Sequence, residues 1–427
     1  MKLKYISFAI ALFLFSYKVN VDANESNYIK LNVTDENNKV LNSLIDNNNN
    51  TKLSFKDKKI IINSDEDIYG LYLIWDIYPE GGIELNYNNN KKEYNTKYFQ
   101  EFIEIDNTNN IIVNINGLGK INDIKVIGKG SIPDDIHNWS EPLEKADMLF
   151  MPTHADDEHL FFGGALATYI NKGNVDIQVA YMVNHKREPY RQQELLNGLW
   201  EIGIRNYPII PHFEDYYSSS LDHAKTVYNE DEIIKYQIDL IEKFNPLVIV
   251  NHDLGGEYGH GAHMLNAHTI LKSVNKSKFK PSKVYLHLYK KNPIKINIDL
   301  PLAKFGNKTA FEVAQSSFSH HNSQSKYFKV RRDWVYDPTA FGLAHTTVGT
   351  DTNNDMLENI TTYYEQEQIL LKEKELKKQE EENNKKEIVD NSDEVINKDN
   401  NNFILLISII SVLLIICITF MFKKNKK

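Results

Sequence analysis

Residues 146–173 read "ADMLFMPTHADDEHLFFGGALATYINKG". A short apolar run, Met148 to Met151, leads into a knot of ionisable side chains, His154 to His159. An apolar stretch with helical spacing then closes on Gly173. That order predicts a buried strand, a loop and a helix capped by Gly173. The texture recurs downstream. "VDIQVAYMV" (175–183), "PLVIVNHD" (246–253) and "KVYLHLY" (283–289) read as strands. "REPYRQQELLNGLWEIGI" (187–204), "EDEIIKYQIDLIEKF" (230–244) and "GAHMLNAHTILKSV" (261–274) read as helices. Such alternation predicts an α/β fold over residues 143–361: a Rossmann-like, mostly parallel sheet with helices on both faces. Ligands in such sheets gather beyond the carboxyl ends of the strands. Both "PTHADDE" (152–158) and "NHDLGGEYGHGAH" (251–263) begin where an apolar strand stops.

These two loops hold the chemistry. His154 and Asp157 are three apart, so one tight turn aims both at one point. His260 and His263 are also three apart and share a helix face. Zinc takes imidazole nitrogen and carboxylate oxygen, and a catalytic zinc keeps one position open for water. Two ligands from the first pair and at least one from the second meet that need. Asp156, beside a ligand, is placed to take a proton from water that the metal has acidified. Taken singly, HxxH and HxxD arise by chance, and a solvated surface pair is the plain alternative. Their placement at two strand ends favours the metal.

Upstream, residues 24–142 are rich in Asn and carry short β-prone runs such as "KLSFKDKKIIINS", "GLYLIWDIYP", "FQEFIEID" and "NNIIVNING". They predict a small β-rich, sandwich-like module preceding the α/β domain. Trp75 with Tyr69, Tyr72 and Tyr78 is either a sugar-stacking stripe or, as is commoner at strand spacing, core. Residues 1–23 have a basic start, an apolar centre and a small-residue end, as a cleaved secretory signal does. Residues 362–402 are a charged stalk, 403–422 an uncharged run long enough to span a bilayer, and 423–427 a lysine-rich cytoplasmic tail. The layout predicts a single-pass cell-membrane protein with its catalytic domain outside and its C-terminus inside. Cys417, the only cysteine, lies in the spanning run, so the exported part has no disulfide. A formal charge of −9 argues against a nucleic-acid partner. Heavy use of Asn, Lys and Ile suggests an AT-rich genome and a Gram-positive surface protein.

Four motifs in order resemble the PIG-L/LmbE family of metal-dependent de-N-acetylases. "PTHADDEHLFFGGALA" is similar to its strand-HPDDE signature, with Ala155 in the usual proline position. "YRQQELLNGLWEIGI" resembles its R-x-x-E helix. "FNPLVIVNHDLGGEYGHGAH" resembles the segment bringing the second histidine pair, and "KTAFEVAQSSFSHHNSQ" a late segment. The resemblance implies His154, Asp157 and His263 as zinc ligands and Asp156 as general base. It implies His260 as the group that polarises the carbonyl and steadies the oxyanion, or also protonates the amine. Arg191 matches an arginine that contacts substrate, with Arg187 nearby; Glu158 supports the loop, and Tyr258 is read as stacking on a sugar. The implied reaction is hydrolysis of an N-acetyl amide on an amino sugar of a surface glycan, with Zn²⁺ or another divalent ion such as Fe(II), Co(II) or Ni(II). A glycan-binding protein or adhesin retaining the metal loop, or a hydrolase of a non-sugar amide, are the rivals.

Other side chains are weaker candidates. His159, His252, Asp253, His320, His321 and Glu257 lie near the motifs, whereas His185, His212, His223 and His345 read as loop residues. "DYYSSSLDH" (215–223) and "TAFGLAHTTVGTDTNNDM" (339–356) read as loops over the cleft.

Overall fold

The first 120 or so residues after the N-terminal segment fold around β-branched side chains that alternate along long strands. A computed structural model describes residues 27–48 and 50–390. Among them, one antiparallel sheet holds seven strands: β1 (Leu31–Asp35), β2 (Leu53–Lys56), β3 (Lys59–Ile77), β4 (Ile83–Tyr87), β5 (Asn90–Tyr94), β6 (Gln100–Ile115) and β7 (Leu118–Ile127). Ile60, Ile62 and Ile68 of β3 face the core, and so do Leu71, Leu73 and Trp75. The inward parity switches between Ile68 and Leu71 because β3 bulges against β6 there. Edge and central strands share a single core, so the sheet curls around it as a half-barrel. The sandwich expected from the sequence is thus one hydrogen-bonded sheet. Runs read as separate strands are also joined. The polar stretch after Ile62 continues β3, and residues around Asn107 continue β6, since exposed polar side chains do not stop a paired backbone.

The second sheet comprises β8 (Met148–Phe150), β9 (Ile177–Val179), β10 (Val248–Asn251), β11 (Lys283–His287), β12 (Pro293–Lys295) and β13 (Ala340–Thr346), in the order β12-β13-β11-β10-β8-β9. β9, β8, β10 and β11 pair in parallel, whereas β13 runs antiparallel to both β11 and β12. The sheet is mixed: three of its five pairings are parallel, as expected, and β13 alone runs against the other strands, which departs from a Rossmann-like sheet. Part of the stretch read as a cleft loop, Ala340 to Thr346, is strand β13, with Phe341 and Leu343 buried.

The helices are α1 (Asp157–Leu160), α2 (Gly163–Lys172), α3 (Pro189–Glu201), α4 (Leu221–Val227), α5 (Glu230–Phe244), α6 (Gly261–Lys276), α7 (Ala310–Phe318) and α8 (Tyr363–Asp390). Gly173 ends α2 at φ 89°. Met148 and Phe150 share a core with Leu166, Leu195 and Val313 of α2, α3 and α7. Leu149 faces the other way, with Leu240 and Ile270 of α5 and α6. Helices thus cover both faces, and strand alternation decides which. The carboxyl ends of β8, β9 and β10 are left for the loops that build the site.

Both sheets belong to one compact unit ending at Tyr363; the described residues after it, 364–390, belong to another. Within the first unit, α3 is tied to the antiparallel sheet. Gln193 Nε2 donates to Trp75 O at 2.8 Å, and Gln100 Nε2 donates to Gln193 Oε1 at 2.9 Å and to Asn197 Oδ1 at 2.8 Å. In α8 the side chains to Glu382 are almost all exposed. No helix among the described residues is long and apolar enough to cross a membrane. Residues 1–23 and 403–422 lie outside the described residues.

Replacing Gln193 by Ala leaves the buried Gln100 amide and Trp75 carbonyl short of a partner. The expected loss is about 1–3 kcal/mol of unfolding free energy, read by urea denaturation of the described body.

Candidate metal centre and active site

Chain direction at the end of β8 sets the first half of the site. After Phe150 the backbone turns through Pro152 and Thr153, and α1 starts at Asp157. Asp156, just before it, has φ 119°, a left-handed conformation costly for a side-chain-bearing residue. Its N–H donates to Glu158 Oε2 at 2.8 Å, and Glu158 Oε1 lies 2.9 Å from His321 Nε2. Glu158 is wholly buried and works as the brace of this turn. Asn266 supplies the second half. Its amide donates to Met151 O at 3.0 Å and to Thr153 Oγ1 at 3.1 Å. That bond fixes α6 against the β8 loop, and His263, one turn earlier on the same face, is brought beside His154.

Three ligand atoms converge. His154 Nδ1 and His263 Nε2 are 3.0 Å apart, and Asp157 Oδ2 lies 3.2 Å from the first and 3.1 Å from the second. Ligand atoms about 2.1 Å from a tetrahedral ion stand about 3.4 Å from each other. A triangle this tight, donated by two imidazoles and a carboxylate, fits a divalent ion of the zinc type. His260 completes a second possible set with His154 and His263; its ring centroid is 4.7 Å from that of His154 and 4.9 Å from that of His263.

The outer nitrogens of the two histidines face carboxylates. His263 Nδ1 lies 2.8 Å from Glu257 Oε2, and His154 Nε2 faces Asp215 Oδ1 at 3.4 Å. Glu257 has no exposed surface and meets two more imidazoles, His252 Nδ1 at 2.8 Å and His287 Nδ1 at 2.6 Å. His252 Nε2 accepts the Thr153 N–H at 3.0 Å, so its proton sits on Nδ1 and points at Glu257. Glu257 and His252, read as cleft candidates, are thus supports for the ligand loop.

Asp156 and Arg191 form the rim. Arg191 Nη2 donates to Ala155 O at 2.7 Å and lies 3.6 Å from Asp156 Oδ2, while Nη1 lies 3.6 Å from Asp215 Oδ2. Arg187 turns outward to Glu214 and Tyr216 and is not at the site. His185 lies in a loop, as read, and is buried there beside the site. It accepts the Ala155 N–H through Nε2 at 2.9 Å and faces Asp215 through Nδ1 at 3.5 Å. Tyr258, at φ 61°, is partly exposed and packs with Phe328, Trp334 and Tyr336. In the other sheet, Trp75 and Tyr72 are core, not a sugar platform.

Electrostatics follow from burial and crowding. Burial, with Asp157 and Glu158 alongside, pushes the Asp156 carboxyl well up against the pull of Arg191. For Asp157 burial acts upward too, but His263 and His252 outweigh it and hold the group well below the usual range. Burial disfavours a charged His154, yet Asp215 and Asp157 raise it to about 9. In His263 the same opposition, with Asp157 and Glu257 prevailing, gives about 10. Burial, then His154 and His263, lowers His260 to about 3. Without an ion, protons occupy the triangle.

Residues 148–274 match the family model described as PIG-L, GlcNAc-PI de-N-acetylase. An uncharacterized protein of Acanthamoeba polyphaga mimivirus is 28% identical over 161 residues, which cover 35% of this chain and 65% of that protein. The chain thus spans slightly under two thirds of that curated relative. A conserved protein from Thermus thermophilus has a TM-score of 0.33 at 14% identity, over 48% of this chain and 97% of its own. An antimicrobial pseudoaglycone deacetylase has a TM-score of 0.32 at 13% identity, over 43% of this chain and 84% of its own.

Two outcomes are expected. Zinc binding at pH 7 expels at least one proton from the histidines raised to about 9 and about 10, so affinity falls as pH is lowered. Calorimetry in buffers of different ionisation enthalpy reads that proton directly. Glu257→Gln weakens zinc affinity about 10–100-fold by unlocking the His263 tautomer, measured by competition with a chelator.

Proposed function

We propose that the protein is a metal-dependent de-N-acetylase that hydrolyses the N-acetyl amide of an amino sugar in an extracellular or cell-surface glycan. One observation carries the reading: the 3.0–3.2 Å triangle of His154 Nδ1, Asp157 Oδ2 and His263 Nε2, with Asp156 at its edge. The PIG-L match over residues 148–274 supports the reaction class. Zinc is the preferred ion, held by His154, Asp157 and His263. When bound, it polarises the amide carbonyl and brings the pKa of coordinated water from ~15.7 towards ~7.

The chain's own groups supply the remaining steps. The Asp156 carboxylate, made more basic by burial and by its acidic neighbours, takes a proton from the attacking water. Water oxygen bonds to the acetyl carbon, and the carbonyl electrons move onto oxygen. His260, held neutral, donates an N–H to that oxygen; its lowered pKa suits donation of a hydrogen bond better than release of a proton. The proton on Asp156 passes to the amide nitrogen as the C–N bond breaks, leaving acetate and the free amine. Arg191 aligns Asp156 through the contact at 3.6 Å and takes up the substrate edge at the rim.

The proposed setting is the outer face of a cell membrane, reached through a signal at residues 1–23 and held by a helix over 403–422. The apolar character of both segments supports this. Asp156→Ala is expected to keep one zinc per chain, by elemental analysis, and to lower acetate release from N-acetylglucosamine oligomers about 10²–10⁴-fold. Undiminished turnover in that variant would sink the assignment of the base.

A further inference from the structure

Lys186 stands between two cavities. On one side His185 and Asp215 line the mouth of the site, a cavity of about 260 Å³. On the other lies a larger groove of about 500 Å³, lined by Asp76, Ile77, Tyr78, Phe99, Leu118 and Lys186 itself. The groove thus combines the ends of β3 and β6 and the start of β7 with the loop that carries His185. Lys186 follows His185 directly, so the two linings meet at neighbouring residues of one loop.

The lining has two characters. Ile77 and Leu118 leave 42% and 53% of their surface open, and Tyr78 meets Phe99 edge to face with ring centroids 5.1 Å apart. Against this apolar wall stands Asp76, whose side chain is 1% exposed. Its Oδ2 faces Lys52 at 3.2 Å and Lys120 at 3.7 Å, and both of its oxygens are closed off from the groove. A purely apolar occupant desolvates the exposed Lys186 ammonium. A sugar ring suits both the apolar wall and Lys186. Its C–H face packs on Tyr78 or Phe99, and its hydroxyl edge accepts from Lys186.

We propose that this groove binds the saccharide unit adjoining the one whose N-acetyl group enters the site, so the antiparallel sheet makes the protein selective for a glycan chain over a free sugar. The inference rests on the de-N-acetylase reading.

The test compares N-acetylglucosamine with its linear oligomers, using the zinc-loaded full chain in detergent. The wild type is expected to prefer oligomers at least tenfold in kcat/KM. Tyr78→Ala, Lys186→Ala and the surface change Leu118→Ala each narrow that preference through KM and leave monomer turnover unchanged. Equal losses on monomer and oligomer, or no oligomer preference in the wild type, overturn the proposal. If no substrate yields acetate, the reaction reading fails, and the groove is then judged by calorimetric binding of oligomer to the metal-free chain. Binding that Tyr78→Ala weakens keeps the groove as a glycan site; absent or unaltered binding removes it.

Discussion

A carboxylate with no access to solvent, Glu257, accepts from three imidazoles, and the site is arranged around that arrangement of charge. A buried carboxylate is tolerated only when donors replace its water. Here His252, His263 and His287 replace it, from β10, α6 and β11. Burial alone would raise its pKa, yet these partners, His252 foremost, hold it well below the ordinary range. Each imidazole loses its freedom to rotate and to change tautomer. His252 must then turn Nε2 to the Thr153 N–H, which fixes the loop carrying His154, and His263 must turn Nε2 towards Asp157. One charge therefore sets the direction of ligand atoms on two different loops.

The antiparallel sheet takes part in the same positioning. Gln193 and Asn197 on α3 are held by Gln100 and by the Trp75 carbonyl, and Arg191 leaves the other side of that helix towards Ala155 and Asp156. Glu194, between them, receives the Ser323 N–H and hydroxyl at 2.8 and 2.6 Å. The helix is thus gripped by three parts of the chain at once, and its arginine is delivered at a fixed height. A rim built in this way is pre-organised: little side-chain entropy remains to be lost when substrate arrives.

Much of this was legible in the sequence. Periodicity located α2, α3, α5 and α6 because each has one buried face, and β8, β10 and β11 because they are short and buried on both. The metal-ligating candidates were legible because three-residue spacing survives the fold as proximity. What escaped has physical causes. β13 is read as loop because its alternation is broken by Gly342 and ends in threonines. The long strands β3 and β6 look interrupted because polar side chains on an exposed stretch carry no hydrophobic signal. Asp215 and His185 were out of reach of motif spacing: each reaches the site from a separate loop, and only the fold makes them neighbours. Asp215 did open the stretch read as a rim loop, but nothing local marks it as facing His154.

Ala155 replaces the proline of the usual motif, and its N–H is bonded to His185 Nε2. Proline has no N–H to give. In a relative with proline at this position, the imidazole corresponding to His185 would lose its donor and be left with a buried acceptor, at a cost of about 1–3 kcal/mol. It would have to swap tautomer, recruit a water or be a different residue. The two positions are therefore a coupled pair: a proline at 155 and an imidazole acceptor at 185 do not suit each other in this geometry.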